Sequence, residues 1–195
     1  QVLCDTDNAV LAANAATNGG TGTWTVVSNP VWFEQFTGLS DGTTSDAGAT
    51  SWSRTISSTG GGWYSEIRSE HYEMTRNRTV WTSGNINISG ISDIGISIDF
   101  SSYATGNGFE SPQDYIQARY YVDGVPTTFF SVTGAVDGST GGGSSTFRTR
   151  QATASGINGG TLRIEITLYN SATDEFFQFD NVFVKPLIRN LSPGG

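Results

Sequence analysis

The sequence predicts an all-β fold, a two-sheet antiparallel β-sandwich of jelly-roll type, on three observations. The first is composition. Charged residues make up 14% of the 195, glycine occurs 25 times, and Thr, Val, Ile and aromatics abound while Lys and Glu are few. The second is periodicity: apolar residues recur at every second position in several runs, and no stretch sustains a helical period. The third is spacing, because about a dozen such runs are separated by polar, Gly-bearing connections every ten or so residues, the pattern of two packed sheets. A chain of this length buries an adequate core without disulfides, which suits its single cysteine, Cys4.

In order along the chain, residues 9–13 (AVLAA) and 23–27 (TWTVV) flank the turn Asn18-Gly19-Gly20-Thr21-Gly22. Residues 1–30 therefore read as an N-terminal β-hairpin segment or the end of a preceding repeat. The sandwich is expected over residues 31–186, and residues 187–195 read as a linker-like tail. Residues 32–36 lead into the polar loop 37–50, where Asp41-Gly42 and Asp46-Ala47-Gly48 are turn chemistry. Residues 63–69 and 71–75 are expected to pair, and residues 79–84 to continue into 85–89. Ile94, Ile96, Ile98 and Phe100 share one face of the next strand. In residues 114–122, Ile116, Ala118, Tyr120 and Val122 fall on one side, and Asp123-Gly124 then turns the chain into residues 127–132. After a low-complexity loop at 137–145, a strand is expected at 147–153.

Two long strands, expected to close the sheet, finish the domain. In the first, Leu162, Ile164, Ile166 and Leu168 face one way and Arg163, Glu165 and Thr167 the other. In the second, strict alternation puts Phe177, Phe179, Asn181 and Phe183 on one face and Gln178, Asp180, Val182 and Val184 on the opposite one. Apolar residues on both faces predict a central strand. Asp180, a carboxylate beside an apolar run, needs a partner, because burying it unpaired is costly.

The net charge of −8 argues against a nucleic-acid partner, and no apolar run of 18 residues exists to span a membrane. The start at Gln1, with no initiator Met, reads as a processed or excised chain and favours a secreted or cell-surface location.

Three blocks carry a family resemblance. The first is F-E-x-F-x-G-L-S-D-G-T-T-x-D-x-G-A-T-x-W-S at residues 33–53. The second is V-W-x-S-x-x-I-x-I-S-G-x-x-D-I-x-I-S-I-D at residues 80–99, with Gly84 where the family more often has an acidic residue. The third is D-E-x-F-x-F-D-N-V-x-V at residues 174–184. With these blocks the chain from about residue 32 to 186 resembles a jelly-roll module of secreted multidomain proteins from gliding and marine bacteria, akin to carbohydrate-binding modules and adhesin domains. The segment around Trp24 resembles the opening strands of immunoglobulin-like repeats in giant adhesins. The first resemblance implies a structural calcium ion, with Asp180 near Glu34 and with Asp41 and Asp46 as further oxygen donors.

For sugar binding the residue types themselves point to Tyr64, Arg68, His71, Tyr72, Arg119 and Tyr121, with Tyr115 and Glu66 beside them. Aromatic rings stack on sugar faces, and planar polar groups bond hydroxyls. Enzyme signals are sparse. His71 is the one histidine and G-x-S-x-G is absent. Glu66, Glu70 and Glu73 are carboxylates that could pair for glycoside hydrolysis, and Arg68, His71 and Tyr72 are types that lyases use, but neither set matches a known spacing. The expectation is a non-enzymatic extracellular adhesion module binding a polysaccharide or surface glycan. Alternatives are a filament subunit joined to other copies of itself by strand exchange through residues 1–30, and a lyase or glycosidase.

Overall fold

The computed structural model describes residues 9–13, 24–57, 63–106, 108–139 and 148–187. Cys4, the turn at 18–22, the core of the low-complexity loop, Phe147 and nearly all of the expected tail lie outside the described residues. Strands β1 (Ala9–Ala13) and β2 (Trp24–Ser28) pair antiparallel with each other, as a two-stranded sheet of their own.

Two larger antiparallel sheets form the sandwich. The first contains β3 (Trp32–Glu34), β6 (Tyr64–Arg68), β7 (His71–Thr75), β10 (Ile94–Ala104), β13 (Arg148–Ile157) and β15 (Glu175–Pro186). Its order is β13-β10-β15-β7-β6, with β3 also paired to β15. Because β7 meets residues 177–179 of β15 and β3 meets residues 182–184, these two short strands lie end to end along one side of it. The second sheet contains β4 (Ser45–Asp46), β5 (Trp52–Ile56), β8 (Arg78–Ser83), β9 (Ile86–Asn87), β11 (Tyr115–Val122), β12 (Val125–Thr133) and β14 (Thr161–Tyr169). Its order is β12-β11-β14-β8-β5-β4, with β9 beside β14. The sandwich expected from the sequence is thus the observed fold, and β15 is central as its two apolar faces require.

Three expectations are corrected. The two long strands do not close one sheet together: β14 and β15 lie in opposite sheets, so the turn between them crosses the sandwich. Strand β13 runs on to Ile157; before that residue only Ala152 is buried, and Gln151 and Thr153 are exposed, so its apolar signal is weak, as suits an edge strand.

The strict alternation of β15 also fails. Asp99 pairs with Asp180 and Ser97 with Phe183, so the one residue between on β10 faces two on β15. This is a β-bulge, and Asn181 takes it up at φ +51°, a left-handed conformation that asparagine tolerates better than most residues. The bulge reverses parity: Phe177, Phe179, Val182 and Val184 all face the core, while Gln178, Asp180, Asn181 and Phe183 face outward.

The core is unusually aromatic at one end. The Phe179 ring lies 4.9 Å from Tyr72, 5.4 Å from Trp81 and 5.5 Å from Phe36, and Trp52 packs edge-on against Tyr72 and Phe36. Phe36 reaches this cluster from a backbone at φ +55°, uncommon for a bulky residue, and its N–H donates to Glu34 Oε1 at 2.7 Å. The glutamate thereby anchors a strained turn that delivers a ring to the core.

Candidate functional site

Alternation along β6, β7, β10 and β15 turns one row of side chains to the core and the other to the outer face of the first sheet. The register aligns Glu66, Glu73, Gln178, Ser101 and Thr149 in one row across five strands. Asp180, Asp99 and Gln151 form the next row, with Arg68 opposite His71 toward the β6 edge.

Glu73 is the hub of this face. Only 5% exposed, its carboxylate accepts hydrogen bonds from the Tyr64 hydroxyl, the Gln178 amide and, at 3.4 Å, the Tyr103 hydroxyl. His71 Nε2 stands 3.6 Å away, an ion-pair distance rather than a hydrogen bond. A second polar chain runs beside it. Gln151 Nε2 donates to Asp99 Oδ1 at 2.7 Å, Asn181 Nδ2 to Asp99 Oδ2 at 3.0 Å, and Gln35 Nε2 to Asn181 Oδ1 at 3.0 Å.

Aromatic rings flank these planar groups on two sides. Phe176 stacks on Tyr103 at 4.5 Å and lies 6.4 Å from Tyr64, while Phe33, 43% exposed, stacks on Phe183 at 6.0 Å. A shallow pocket of about 260 Å³ opens on the β10–β13 side, lined by Ser97, Gln151, Thr153, Lys185 and Leu187 among others.

Electrostatics lock the hub. Burial alone would raise the Glu73 pKa, but the surrounding donors and the His71 charge outweigh it and hold the carboxyl below its ordinary value. Contact with that carboxylate raises His71 against a smaller opposing effect of burial. Burial and the Glu73 hydrogen bond push Tyr64 far up, and burial and the Glu73 charge push Tyr103 up to about 12. Both phenols therefore stay neutral donors at physiological pH.

The structure divides the six residues named for sugar binding. Tyr64, Arg68 and His71 share the outer face of the first sheet, and the Arg68 guanidinium lies 3.7 Å over the Tyr64 ring. Arg119 and Tyr121 lie on the outer face of the second sheet, on the far side of the sandwich, where both engage Glu165. Tyr72 is a correction: it is 0% exposed in the aromatic core and its hydroxyl bonds Ser65 Oγ at 2.8 Å, so it offers no ring to a ligand. Its parity with Met74 on the same strand was the available signal. Gln178, Tyr103, Phe176 and Asp99 were missed, since only the pairing of distant strands places them beside Glu73.

The four acidic residues assigned to calcium are likewise spread over several tasks. Asp41 accepts the Ser69 N–H at 2.8 Å, Asp46 accepts the Gly48 N–H at 3.1 Å, and Glu34 accepts that of Phe36. Asp180 accepts the Asn181 N–H at 2.7 Å; burial raises its pKa, and Asp99 and Glu34 nearby add to the shift. Among the described residues, the acidic grouping compact enough to hold a metal ion is a different one: Glu110, Asp114 and Glu175, with one carboxylate oxygen of each within 4.8 Å of the others.

No protein-family model matches the sequence, and no curated protein matches it. Among solved structures the chain is similar to the K3 cleaved adhesin domain of Lys-gingipain from Porphyromonas gingivalis (TM-score 0.46, 9% identity, covering 80% of this chain and 98% of that one). It is also similar to a CBM4 structure (TM-score 0.41, 13% identity, 73% and 92% covered). A third is the CBM22-1 xylan-binding domain from Paenibacillus barcinonensis (TM-score 0.35, 11% identity, 81% and 94% covered). Likenesses this loose do not assign a function, and the fold stands on the chain's own two sheets.

Proposed function

We propose that this chain is an extracellular, non-catalytic adhesion module that holds a polysaccharide or surface glycan along the outer face of the β13-β10-β15-β7-β6 sheet. The observation that carries the reading is the Glu73 hub. A buried carboxylate fixes Tyr64, Gln178 and Tyr103 in place, and outward rings stand on two sides of the resulting polar array. Rings that stack on sugar faces, beside amides and carboxylates preset to bond hydroxyls, are what a glycan chain needs from a surface. Glu66, Glu73, Asp99 and Asp180 outnumber Arg68, His71 and Lys185 on this face. The favoured ligand is therefore a neutral chain rather than a uronate-rich one, which like charges would repel.

The same geometry argues for binding over catalysis. Tyr64, Arg68 and His71 do adjoin, but an eliminating tyrosine needs a lowered pKa, and that of Tyr64 is raised. Of the carboxylates the sequence offers for hydrolysis, that of Glu73 is lowered where a glycosidase acid needs a raised one, and Glu66 is paired with Arg68 at 3.0 Å. A secreted or cell-surface location belongs to this reading; no helix among the described residues is long and apolar enough to cross a membrane.

Affinity gel electrophoresis with soluble xylan, β-glucan, mannan and alginate tests the proposal. Retention by at least one neutral polysaccharide is expected, weakened at least tenfold in Phe176→Ala and little changed by alginate. Retention by none of the neutral chains, or retention unaffected by Phe176→Ala, would overturn it.

A further inference from the structure

At one end of the sandwich the loop between β10 and β11 carries Glu110 and Asp114, and β15 begins with Glu175. Calcium–oxygen distances of about 2.3–2.6 Å allow two oxygens on one ion to stand up to about 5 Å apart, so the 4.8 Å limit met by these three carboxylates fits a single shared ion.

Spacing alone would not make a site, since acidic residues cluster for many reasons. The second observation is Glu175 itself. It is 1% exposed, and neither of its carboxylate oxygens accepts a hydrogen bond. Buried polar groups are almost always partnered, and a buried carboxylate with two bare oxygens is among the most unfavourable exceptions. The other members are already oriented. Asp114 accepts the N–H groups of Glu110 and, at 3.0 Å, Ser171, while Glu110 Oε2 accepts the Ser171 hydroxyl at 3.2 Å. The charges acting most strongly on Glu175 are Asp114, Glu110 and Asp174, all negative. Such a place calls for positive charge.

We infer that Glu110, Asp114 and Glu175 bind a calcium ion that ties the β10–β11 loop to the start of β15. The donor set selects the ion. Three carboxylates without a histidine or cysteine suit a hard cation. Two free oxygens on one glutamate suit the bidentate coordination that calcium takes and the smaller, octahedral magnesium does not favour. The topology gives the ion a task. β10 and β15 belong to one sheet and β11 and β14 to the other, so an ion here fastens the two crossovers that join the sheets at this end. The inference does not depend on glycan binding and stands or falls separately.

The test is calcium chloride titration of chelator-treated protein, by calorimetry and by thermal melting, beside magnesium chloride at equal concentration. One calcium is expected to bind, with a rise in melting temperature that magnesium does not match. Glu175→Gln should abolish the response. Glu110→Gln, on an exposed residue, should keep the fold by circular dichroism and weaken calcium affinity at least tenfold. No calcium binding, an equal response to magnesium, or a response that survives both variants and vanishes in Glu34→Gln would each overturn the assignment; the first would mean that Glu175 carries a proton instead.

Discussion

The two outer faces of the sandwich use similar residue types to different ends. On the second sheet, Glu165 pairs with Arg119 at 3.8 Å and accepts the Tyr121 hydroxyl at 3.0 Å, and the Arg163 guanidinium lies 4.1 Å over the Tyr121 ring. These are cross-strand neighbours that satisfy one another on a half-exposed surface, where such pairs contribute little. On the first sheet the acceptor is buried, and its donors come from β6, β10 and β15, with His71 of its own strand β7 at ion-pair distance. A network of that kind cannot rearrange without exposing an unpaired carboxylate, so it holds its outward groups in fixed positions. The difference separates a solvated surface from a preorganised one. Residue type alone does not reveal it.

The largest expected contrast is in stability. Glu73→Ala leaves one buried and two half-buried donors unpaired and should cost about 2–3 kcal/mol in urea unfolding, whereas Glu165→Ala on the other face should cost less than about 1 kcal/mol. Equal losses would break the comparison. The bulge that sets the outward row is next. Asn181→Val forces a β-branched residue to φ +51° and should cost about 1–2 kcal/mol more than Asn181→Gly, which loses the same two side-chain hydrogen bonds but takes the conformation freely. Equal losses in the two variants would contradict a left-handed Asn181.

The smallest effect is in pH dependence. The His71 pKa is raised by Glu73, so its contribution is complete below the unfolded value of about 6.5 and fades as pH rises through the higher folded value. The lowered pKa of Glu73 contributes above about 4.5 and fades as pH falls. The stability difference between wild type and His71→Gln should therefore peak near pH 5–6 and shrink by pH 8, staying below about 1 kcal/mol because the histidine is partly exposed. Arg119→Gln should show no such change between pH 6 and 8, because a guanidinium keeps its charge throughout. Parallel pH profiles for the two variants would contradict the distinct roles.

How much of this was legible in the sequence follows from where the signal is local. Alternation in residues 116–122 and 162–168 reports burial directly, because one face of each strand meets the core. In β15 the apolar residues switch from odd to even positions across Asp180-Asn181, and an asparagine at such a switch marks a bulge that strict alternation overlooks. Tyr72 was assigned to the surface on chemistry, although its strand parity puts it in the core. The Glu73 hub and the Glu110, Asp114 and Glu175 grouping join residues more than 60 positions apart, so only the sheet order brings them together. Residues 33–53 show the reverse case: of the acidic residues there, Glu34 and Asp46 accept N–H groups two positions on, while Asp41 accepts that of Ser69 from a distant turn.

The most direct test of the central claim is to titrate soluble neutral oligosaccharides of glucose, xylose and mannose into isotope-labelled protein and follow the backbone amide resonances. The account predicts that the perturbed amides belong to β6, β7, β10 and β15 around Glu73, Tyr103, Phe176 and Gln178, with those around Arg119 and Tyr121 unmoved. Perturbations centred on β11 and β14, or none with any of the three sugars, would contradict it.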